Sequence, residues 1–531
     1  MRKNKELKKL HFFDNFVEIY PPQLYSMSVL KKLAGETASY GISTILGRSL
    51  NFLLVFIHTA AFMPAEMGIN VKLYGYVAIA NIIYTYGMET AFFRFAPEDK
   101  IKYYNIIQSA IIISSISFSG MLIIFSSPII TYLGYAGKEN FLIWIALIIA
   151  IDAITAIPFA RLRLEKQTRR FVKAKIINIL INVFLNIFFL LILKKIAEGG
   201  YLTSLQPIAQ KLYNPNIGAG YIFLANLMAN ATFFYFLRPE FRDFKFQFDK
   251  AEFKKLWIYA YPIMIMMVAS TYNLVFDRLL LEKFLPEGFY PNRTSQEALG
   301  IYGSVYKLSI FMSLATQAFR YAAEPFFLSK TGDKNSPETL AEVTKWFLIT
   351  CIFIWLGVSL NLDWLKVLFL RQKIYWEAIM VVPVLLLANL FLGIYYNMSV
   401  WFKLNNKTYF GTLITFIGLG ITIIANIILI PRIGYMGCAV AFLISCFSMT
   451  ALCYLLGQRY YPIPYNIKSA FGYISSAGIL IYFVTKIHFN SLWLSIPYHL
   501  ILLILYTAGV VMVERKTIIP LKIRDKYKIL R

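Results

Sequence analysis

Long apolar stretches recur along nearly the whole chain, and short loops that carry most of the charged residues separate them. A helix crosses a bilayer core of about 30 Å with about 20 apolar residues, and fourteen stretches meet that requirement. The predicted spans are residues 37–62, 73–93, 104–133, 141–160, 174–193, 217–237, 256–281, 299–327, 346–370, 378–402, 408–430, 434–457, 469–487 and 492–513. The apolar runs are continuous rather than alternating, which excludes a transmembrane β-barrel. The pattern predicts an all-α polytopic membrane protein.

Composition agrees with this prediction and removes several classes of function. Hydrophobic residues make up 58% of 531 residues, and the mean hydropathy is +0.59, whereas soluble domains are typically about 45–50% apolar. The four cysteines fall inside predicted spans without metal-ligand spacing, so we expect them to be packing residues. The sequence has no phosphate-binding loop and no cluster of His and Cys, so we expect no ATP hydrolysis, catalytic site, cofactor or metal.

The net charge of +25 is unevenly divided between alternate loops. The side that holds both termini carries about three times as many Lys and Arg residues as the other side, which predicts cytoplasmic termini. The densest clusters lie between spans 4 and 5, between spans 6 and 7, and in the tail, at residues 161–175, 238–255 and 515–531. We interpret them as topology signals that also attract anionic lipid headgroups, rather than as a nucleic-acid site.

The two ends of the chain differ from the body. Residues 1–26 are charged and precede a second methionine, Met27. They are either a basic membrane-surface segment, an extension outside the folded body, or the result of a misassigned start codon. We expect no cleavable signal peptide, because no compact apolar region with a small-residue cleavage site follows the basic start. Residues 514–531 form a predicted basic cytoplasmic tail.

Weak internal similarity relates the two halves of the chain at an offset of about 230 residues. The matched elements are Arg48 with Arg278, Tyr74-Gly75-x-Val77 with Tyr302-Gly303-x-Val305, Ala91-Phe92-Phe93-Arg94 with Ala318-Phe319-Arg320, and Asn186 with Asn426. Six spans separate the copies, so both halves enter the membrane in the same orientation. This predicts two pseudo-symmetric six-helix lobes, residues 27–237 and 238–457, followed by two further helices within 458–513. Parallel repeats of this kind place substrate between the halves in transporters.

Polar side chains inside the spans follow helical spacing. The stripes are Thr37, Thr44, Arg48 and Asn51 on span 1, Asn81, Thr85 and Glu89 on span 2, and Ser309, Ser313, Gln317, Arg320 and Glu324 on span 8. Ionisable groups at membrane depth usually face a cavity or a partner. The repeat makes spans 1, 2, 7 and 8 equivalent walls, so the stripes predict a water-filled cavity between the lobes.

We assign two sets of candidate site residues on this basis. The substrate set is Arg48, Glu89, Arg278, Lys307, Gln317, Arg320 and Glu324, and the coupling-cation set is Asp152 and Asp277. Two plainer interpretations remain open: Arg320 and Glu324 form a pair one helical turn apart, and Asp277 with Arg278 simply reaches the outer interface. If the basic members share a cavity, its charge selects an anionic substrate, and guanidinium groups match phosphate oxygens.

Several motifs resemble those of bacterial polysaccharide-biosynthesis flippases, which belong to the multidrug/oligosaccharidyl-lipid/polysaccharide exporter superfamily. The motifs are Leu33-Ala34-Gly35-Glu36-Thr37-Ala38 with Tyr40-Gly41, Leu73-Tyr74-Gly75-Tyr76, Tyr86-Gly87-Met88-Glu89-Thr90-Ala91-Phe92-Phe93-Arg94, and Asn426-Ile427-x-Leu429-Ile430-Pro431-x-x-Gly434-x-x-Gly437. The resemblance covers about residues 27–513. The long loop 194–216 departs from compact members of the family.

The resemblance implies a V-shaped pair of lobes that moves undecaprenyl-diphosphate-linked oligosaccharide from the cytoplasmic to the outer leaflet of the bacterial inner membrane. It implies a role in O-antigen, capsule or exopolysaccharide assembly, with membrane lipids, a polysaccharide polymerase and glycosyltransferases as partners. Because the sequence has no ATP-binding motif, we expect the energy to come either from a gradient of Na⁺ or H⁺ as coupling ion or from consumption of the substrate on the far side. The alternatives are a flippase for a lipid-linked peptidoglycan precursor, a drug/cation antiporter, and a membrane glycosyltransferase or polymerase. The antiporter is disfavoured by the basic charge in the spans, and the enzyme by the lack of a large outer loop bearing carboxylates.

Overall fold

The computed structural model describes residues 45–329, 336–405, 407–487 and 491–518. The predicted N-terminal extension 1–26, Thr37, Thr44 and most of the tail 514–531 lie outside these ranges. Within them, every predicted span contains a helix, and the described residues include no strand. The prediction of an all-α fold is therefore confirmed.

Fourteen helices correspond to the fourteen predicted spans. They are α1 (Ile45–Ala61), α2 (Pro64–Thr85), α3 (Lys100–Ile124), α4 (Glu139–Leu164), α5 (Thr168–Ala197), α6 (Gly220–Phe236), α7 (Lys250–Phe284), α8 (Ser295–Tyr321), α9 (Pro337–Leu360), α10 (Val381–Leu404), α11 (Tyr409–Ile433), α12 (Tyr435–Tyr460), α13 (Ile467–Val484) and α14 (Trp493–Arg515). In the described part of the chain, 11 of them are long and apolar enough to cross a membrane, namely α3–α5 and α7–α14.

Helix α2 differs most from its prediction. It begins at Pro64 rather than at residue 73, and it ends at a left-handed turn at Tyr86 (φ 33°) and Gly87 (φ 76°). A short helix, Met88–Phe95, follows. A Cβ atom on Gly87 would lie 2.7 Å from the carbonyl oxygen of Ala260 on α7, so both the backbone conformation and the contact require glycine.

The two halves repeat the same helix pairings. In the first half α2 and α3 pack on α4, and α6 packs on α4 and α5; in the second half α8 and α9 pack on α10, and α12 packs on α10 and α11. Helix α1 contacts α5 through His58 and Asn186 as α7 contacts α11 through Asn273 and Thr422. Asn186 and Asn426 each donate to the carbonyl oxygen four residues earlier. This architecture confirms two pseudo-symmetric six-helix lobes, the N-lobe (α1–α6) and the C-lobe (α7–α12).

Helices α13 and α14 pack against α9, outside the two lobes. The contact is fixed by a largely buried ion pair, in which Lys345 Nζ on α9 lies 2.8 Å from Glu514 Oε2 on α14. The Tyr473 hydroxyl on α13 donates to the other carboxylate oxygen at 2.9 Å. One carboxylate therefore joins both additional helices to the C-lobe.

The loops that follow α4 and α6 define one side of the membrane, here named the basic side; the other is named the opposite side. The lobes meet on the opposite side, where α2 crosses α8. A Cβ atom on Gly68 would collide with the backbone of Gln296, one on Gly300 with the backbone of Pro64, and one on Gly303 with Val71. Small residues allow such close approach of membrane helices. This contact, together with the loops around it, is named the seal.

Loops extend the seal beyond the two helices. The carbonyl oxygen of Phe62, between α1 and α2, accepts from the Tyr375 hydroxyl at 2.8 Å, and Tyr375 lies between α9 and α10. Thr59 Oγ1 donates to the carbonyl oxygen of Phe369 at 2.9 Å. Lys72 on α2 pairs with Glu282 on α7 at 3.0 Å. Backbone, hydroxyl and ionic contacts therefore all connect the lobes on the opposite side.

We expect the substitution Gly300→Leu to open the seal, because overpacking a close helix contact costs about 1–3 kcal/mol. The readout is labelling of a Gln296→Cys reporter by a membrane-impermeant maleimide, since Gln296 packs beneath Gly68 and the native cysteines are buried. Labelling should rise about tenfold, as that free energy implies.

The matched control is Gly420→Leu on α11, where a Cβ atom meets nothing within 4 Å. It should leave labelling of the Gln296→Cys reporter at the level of the otherwise unsubstituted protein. Correctly folded Gly300→Leu protein with unchanged labelling would show that the glycine contact does not control closure.

Candidate binding site

A cavity of about 740 Å³ lies between the lobes, and residues of α1, α2, α4–α8 and α10 line it. Val71 and Gly303, which belong to the seal, stand at one end. From there the lining continues toward the basic side as far as Arg48 and Lys175, which lie near the basic-side ends of α1 and α5. The cavity is thus closed from the opposite side by the contact between α2 and α8.

Four basic side chains are part of the described lining, and Asp152 is the carboxylate among them; the bases are Arg48, Lys175, Arg278 and Lys307. Arg48, Arg278, Lys307 and Asp152 were predicted from the sequence to be site residues. Lys175 was assigned to the loop between spans 4 and 5, but α5 already begins at Thr168, which places Lys175 two turns inside the helix. The lining carries a net positive charge.

Arg48 joins α1 to α8 across the cavity. With the Gln317 amide oriented to offer its oxygen, Arg48 Nη2 donates to it at 3.0 Å. Beside this contact, the ring of Phe52 on α1 packs edge-on against Phe311 on α8 at 5.2 Å between centroids. Arg48 has no carboxylate within ion-pair distance among the described residues. Its guanidinium is hydrogen-bonded there to the neutral Gln317 amide, and its positive charge is not neutralised.

Arg278 and Lys307 lie near the seal and differ in their partners. The Nε atom of Arg278 lies 3.3 Å from Asp277 Oδ1, and its guanidinium lies 4.0 Å from the ring centre of Tyr306. The Lys307 ammonium, on a turn of 3-10 helix within α8, has neither a hydrogen bond nor an ion pair to any residue in the described ranges. Lys307 therefore offers an uncompensated charge to the cavity.

Asp277 was predicted as a candidate for the coupling cation, but its oxygens are already occupied. The Tyr302 hydroxyl donates to Oδ2 at 2.6 Å, and both the backbone N–H and the Nε of Arg278 donate to Oδ1. Asp277 is 2% exposed and is absent from the cavity lining. Its geometry fits a structural role, in which it fixes Arg278 and Tyr302.

Asp152, in contrast, lines the cavity and accepts the last hydrogen bond in a series of asparagine side chains. Asn230 donates to Asp152 Oδ1 at 2.8 Å, and Asn178 donates to Asn230 at 3.1 Å. Nearby, the Lys175 ammonium lies 4.1 Å from the ring centre of Phe159 and 4.6 Å from that of Phe233. Within the described residues, no group of three or more His, Cys, Asp or Glu side chains could hold a metal ion.

Three further predicted residues, Glu89, Gln317 and Arg320, lie outside the cavity lining. Because α2 ends at Thr85, Glu89 belongs to the short helix Met88–Phe95, where it pairs with Arg163 and stays outside the cavity lining. Arg320 is also outside the lining, with its guanidinium 4.9 Å from the ring centre of Tyr396. The Glu324 side chain lies outside the described residues, so the proposed pair with Arg320 remains a prediction.

The basic loops contain many paired charges. Arg170 binds Glu240 through both terminal nitrogens, at 2.8 and 2.9 Å. Arg161 lies 2.9 Å from Glu165, which also binds Lys100. Partial burial alone would raise the pKa of Glu165, but hydrogen bonds from Arg161 and Lys100 hold it below its ordinary value. These pairs fix the loops in place and reduce the charge available to ligands there.

Comparison with solved structures shows which fold this is. The lipid II flippase MurJ in an inward closed conformation matches with a TM-score of 0.69 at 15% identity, over 90% of this chain and 99% of MurJ. An inward-facing multidrug-resistance MATE transporter of the same exporter superfamily matches with a TM-score of 0.55 at 14% identity, over 80% of this chain and 97% of the transporter. The Vibrio cholerae MATE transporter VcmN matches with a TM-score of 0.54 at 13% identity, over 82% and 97% of the two chains.

The chain therefore has the fold of transporters of the multidrug/oligosaccharidyl-lipid/polysaccharide exporter superfamily, as the sequence motifs indicated. It resembles MurJ over nearly the full length of both chains. No family model matches the sequence, and no curated protein matches it.

We expect Asp277→Asn to destabilise the protein, because it leaves the buried guanidinium of Arg278 without its counter-charge. Removing one partner of a buried pair costs about 3–5 kcal/mol. Thermal unfolding in detergent should move to clearly lower temperature, and by the same amount in Na⁺ as in K⁺ buffer. Asp363→Asn, which changes a more exposed carboxylate, should leave the transition in place. A Na⁺-specific shift that Asp277→Asn abolishes would instead support a coupling-cation site.

Proposed function

We propose that this protein is a flippase that moves a polyprenyl-diphosphate-linked oligosaccharide across the membrane by alternating access. The substrate's diphosphate binds in the cavity between the lobes, and the apolar chain remains in lipid. The observation that carries the proposal is the set of basic side chains on the cavity wall: Arg48, Lys175, Arg278 and Lys307.

Electrostatics support an anionic ligand. Among the described residues Lys307 has no counter-charge, and Arg48 meets the neutral amide of Gln317. Charged groups at membrane depth are costly unless a partner or water satisfies them. A diphosphate would supply that partner, with two guanidinium groups able to bind its oxygens in a forked geometry. A cationic drug would be repelled by the same groups, which disfavours an antiporter for such drugs.

The volume of the cavity supports a headgroup rather than a whole lipid. Pockets of about 300–1,000 Å³ enclose ligands of drug size, and a cavity of about 740 Å³ falls within that range. A polyprenyl chain is much longer than such a space. Exposed apolar residues on α1, such as Leu46 and Leu53, provide a surface beside the cavity against which the polyprenyl chain can lie in the lipid.

The side with the basic loops is the cytoplasmic side in this proposal, and both termini lie there. The cavity then belongs to an inward state, with the seal closed toward the outside. Substrate would enter from the cytoplasmic leaflet of the bacterial inner membrane, and opening of the seal would release it outside. Na⁺ or H⁺ serves as coupling ion, with Asp152 as the candidate residue, and surface-polysaccharide polymerases and glycosyltransferases are the expected partners.

A second candidate substrate is the lipid-linked peptidoglycan precursor. The favouring observation is the match to MurJ, named as a lipid II flippase, over 99% of its chain. Both candidates present the same diphosphate to the same basic groups, so the cavity charge does not separate them. The two candidates differ in their saccharide and peptide portions, so a transport assay that includes both lipids separates them.

We expect Arg48→Gln and Lys307→Gln each to lower flipping at least tenfold in proteoliposomes. Loss of one charge-assisted hydrogen bond to phosphate corresponds to about 1.5–3 kcal/mol, which is roughly a 10- to 100-fold effect. The assay follows fluorescent undecaprenyl-diphosphate oligosaccharide from the inner to the outer leaflet, with lipid II and a cationic drug in parallel.

Lys366→Gln is the matched control, because Lys366 lies on the opposite side in a surface pair with Asp363. Its flipping rate should equal that of the unsubstituted protein. Equal flipping by Arg48→Gln, Lys307→Gln and the unsubstituted protein would contradict the proposal, as would transport of the drug alone. Transport of lipid II in place of the oligosaccharide would select the second candidate.

A further inference from the structure

The two walls of the cavity differ in chemistry. Asparagines dominate the N-lobe wall, and seven of them line the cavity: Asn51, Asn70, Asn178, Asn182, Asn186, Asn226 and Asn230. The C-lobe contributes Asn389 alone among the described lining residues. The bases are divided between the lobes: Arg48 and Lys175 lie on α1 and α5 of the N-lobe, and Arg278 and Lys307 lie on α7 and α8 of the C-lobe. We name the seven N-lobe residues the carboxamide wall.

Helical spacing aligns much of this wall. Asn178, Asn182 and Asn186 recur every four residues on α5, and Asn226 and Asn230 do so on α6. Residues four apart lie on one face of a helix. Helices α5 and α6 pack against each other, so their two rows form one continuous surface that includes Asp152 through its bond to Asn230.

Some of these amides are tied to protein groups, while others keep unused capacity. Asn226 donates to the Tyr74 hydroxyl at 2.8 Å, its one hydrogen bond within the described residues, so its oxygen has no protein donor there. Asn70 is 4% exposed, yet its Nδ2 has no partner within those ranges. A buried amide without a partner costs about 1–3 kcal/mol, and on the cavity lining the oxygen of Asn226 can accept from a ligand hydroxyl.

Carboxamides suit an uncharged polyhydroxylated ligand. Each offers two donors and an acceptor, and each sugar hydroxyl also both donates and accepts. Phosphate oxygens only accept, so a wall built for phosphate would be expected to carry cations instead. The cavity thus provides cations on both walls, and the N-lobe wall adds paired donors and acceptors.

We infer that the carboxamide wall is a saccharide-binding subsite, which holds the hydroxyl groups of the first sugars while the bases of α1, α7 and α8 hold the diphosphate. This inference rests on the proposed function and adds that the glycan is recognised through neutral hydrogen bonds to the N-lobe. The lipid is therefore bound between the lobes, with its sugar on the N-lobe and its diphosphate held by cations of both lobes.

The test compares binding of two probes to the purified full chain by native mass spectrometry: undecaprenyl diphosphate, and the same lipid carrying an N-acetylglucosamine disaccharide. The unsubstituted protein should bind the glycosylated lipid about tenfold more tightly. Asn182→Leu with Asn226→Leu should reduce that ratio to about one without weakening the bare lipid. Arg48→Gln should weaken both lipids and preserve the ratio.

Asn216→Leu, at an exposed position on the opposite side, is the control and should keep the tenfold ratio. Asn51→Leu changes an exposed side chain of the wall and should lower the ratio even if the double variant does not fold. Equal affinity of the unsubstituted protein for both lipids would overturn the inference, as would a ratio unaffected by the wall variants. Failure to bind either lipid would instead contradict the proposed function.

Discussion

The structure depends on one constraint: a charged side chain at membrane depth needs a counter-charge, polar partners or water. Asp277 meets that need with Tyr302 and Arg278. Lys307 has no such partner among the described residues, and it lies on a cavity that can hold water or an anion. The cavity is in turn closed on the opposite side by the close contact between α2 and α8, through Gly68 and Gly300. The unpaired charge of Lys307 and the shape of the cavity therefore both indicate a binding site between the lobes.

Helix α7 connects the seal, the cavity and the two lobes. Its first turns pack on the N-lobe, where Ala260 meets Gly87. Farther along, Asn273 accepts from Thr422 and Ser445 of the C-lobe, and Arg278 reaches the cavity. Glu282, near its end, joins Lys72 of the N-lobe within the seal. In the proposed mechanism, opening of the seal would therefore move Arg278 on the same helix, as alternating access requires.

Much of this arrangement could be predicted from the sequence, because apolar length and the doubled motifs report directly on helices and lobes. Arg48 and Lys307 were recognisable because a charge inside an apolar span is unusual. Glu89 was misplaced because helical spacing was extended through a break at Gly87 that hydropathy does not reveal. The carboxamide wall was not predicted, although Asn178 and Asn182 show helical spacing. A neutral amide inside a span costs less free energy than a charge, so it is a weaker sign of a cavity. Which partner satisfies a buried group, as for Asp277, depends on tertiary contacts that one sequence does not contain.

The most direct measurement is an experimental structure of the full chain in lipid nanodiscs with bound undecaprenyl-diphosphate oligosaccharide. We expect diphosphate density within hydrogen-bond distance of Arg48 and Lys307, on the basic side of a closed contact between α2 and α8. Sugar density should lie against α5 and α6. Diphosphate held by the basic loops outside the cavity, with the cavity filled only by water, would contradict the central claim.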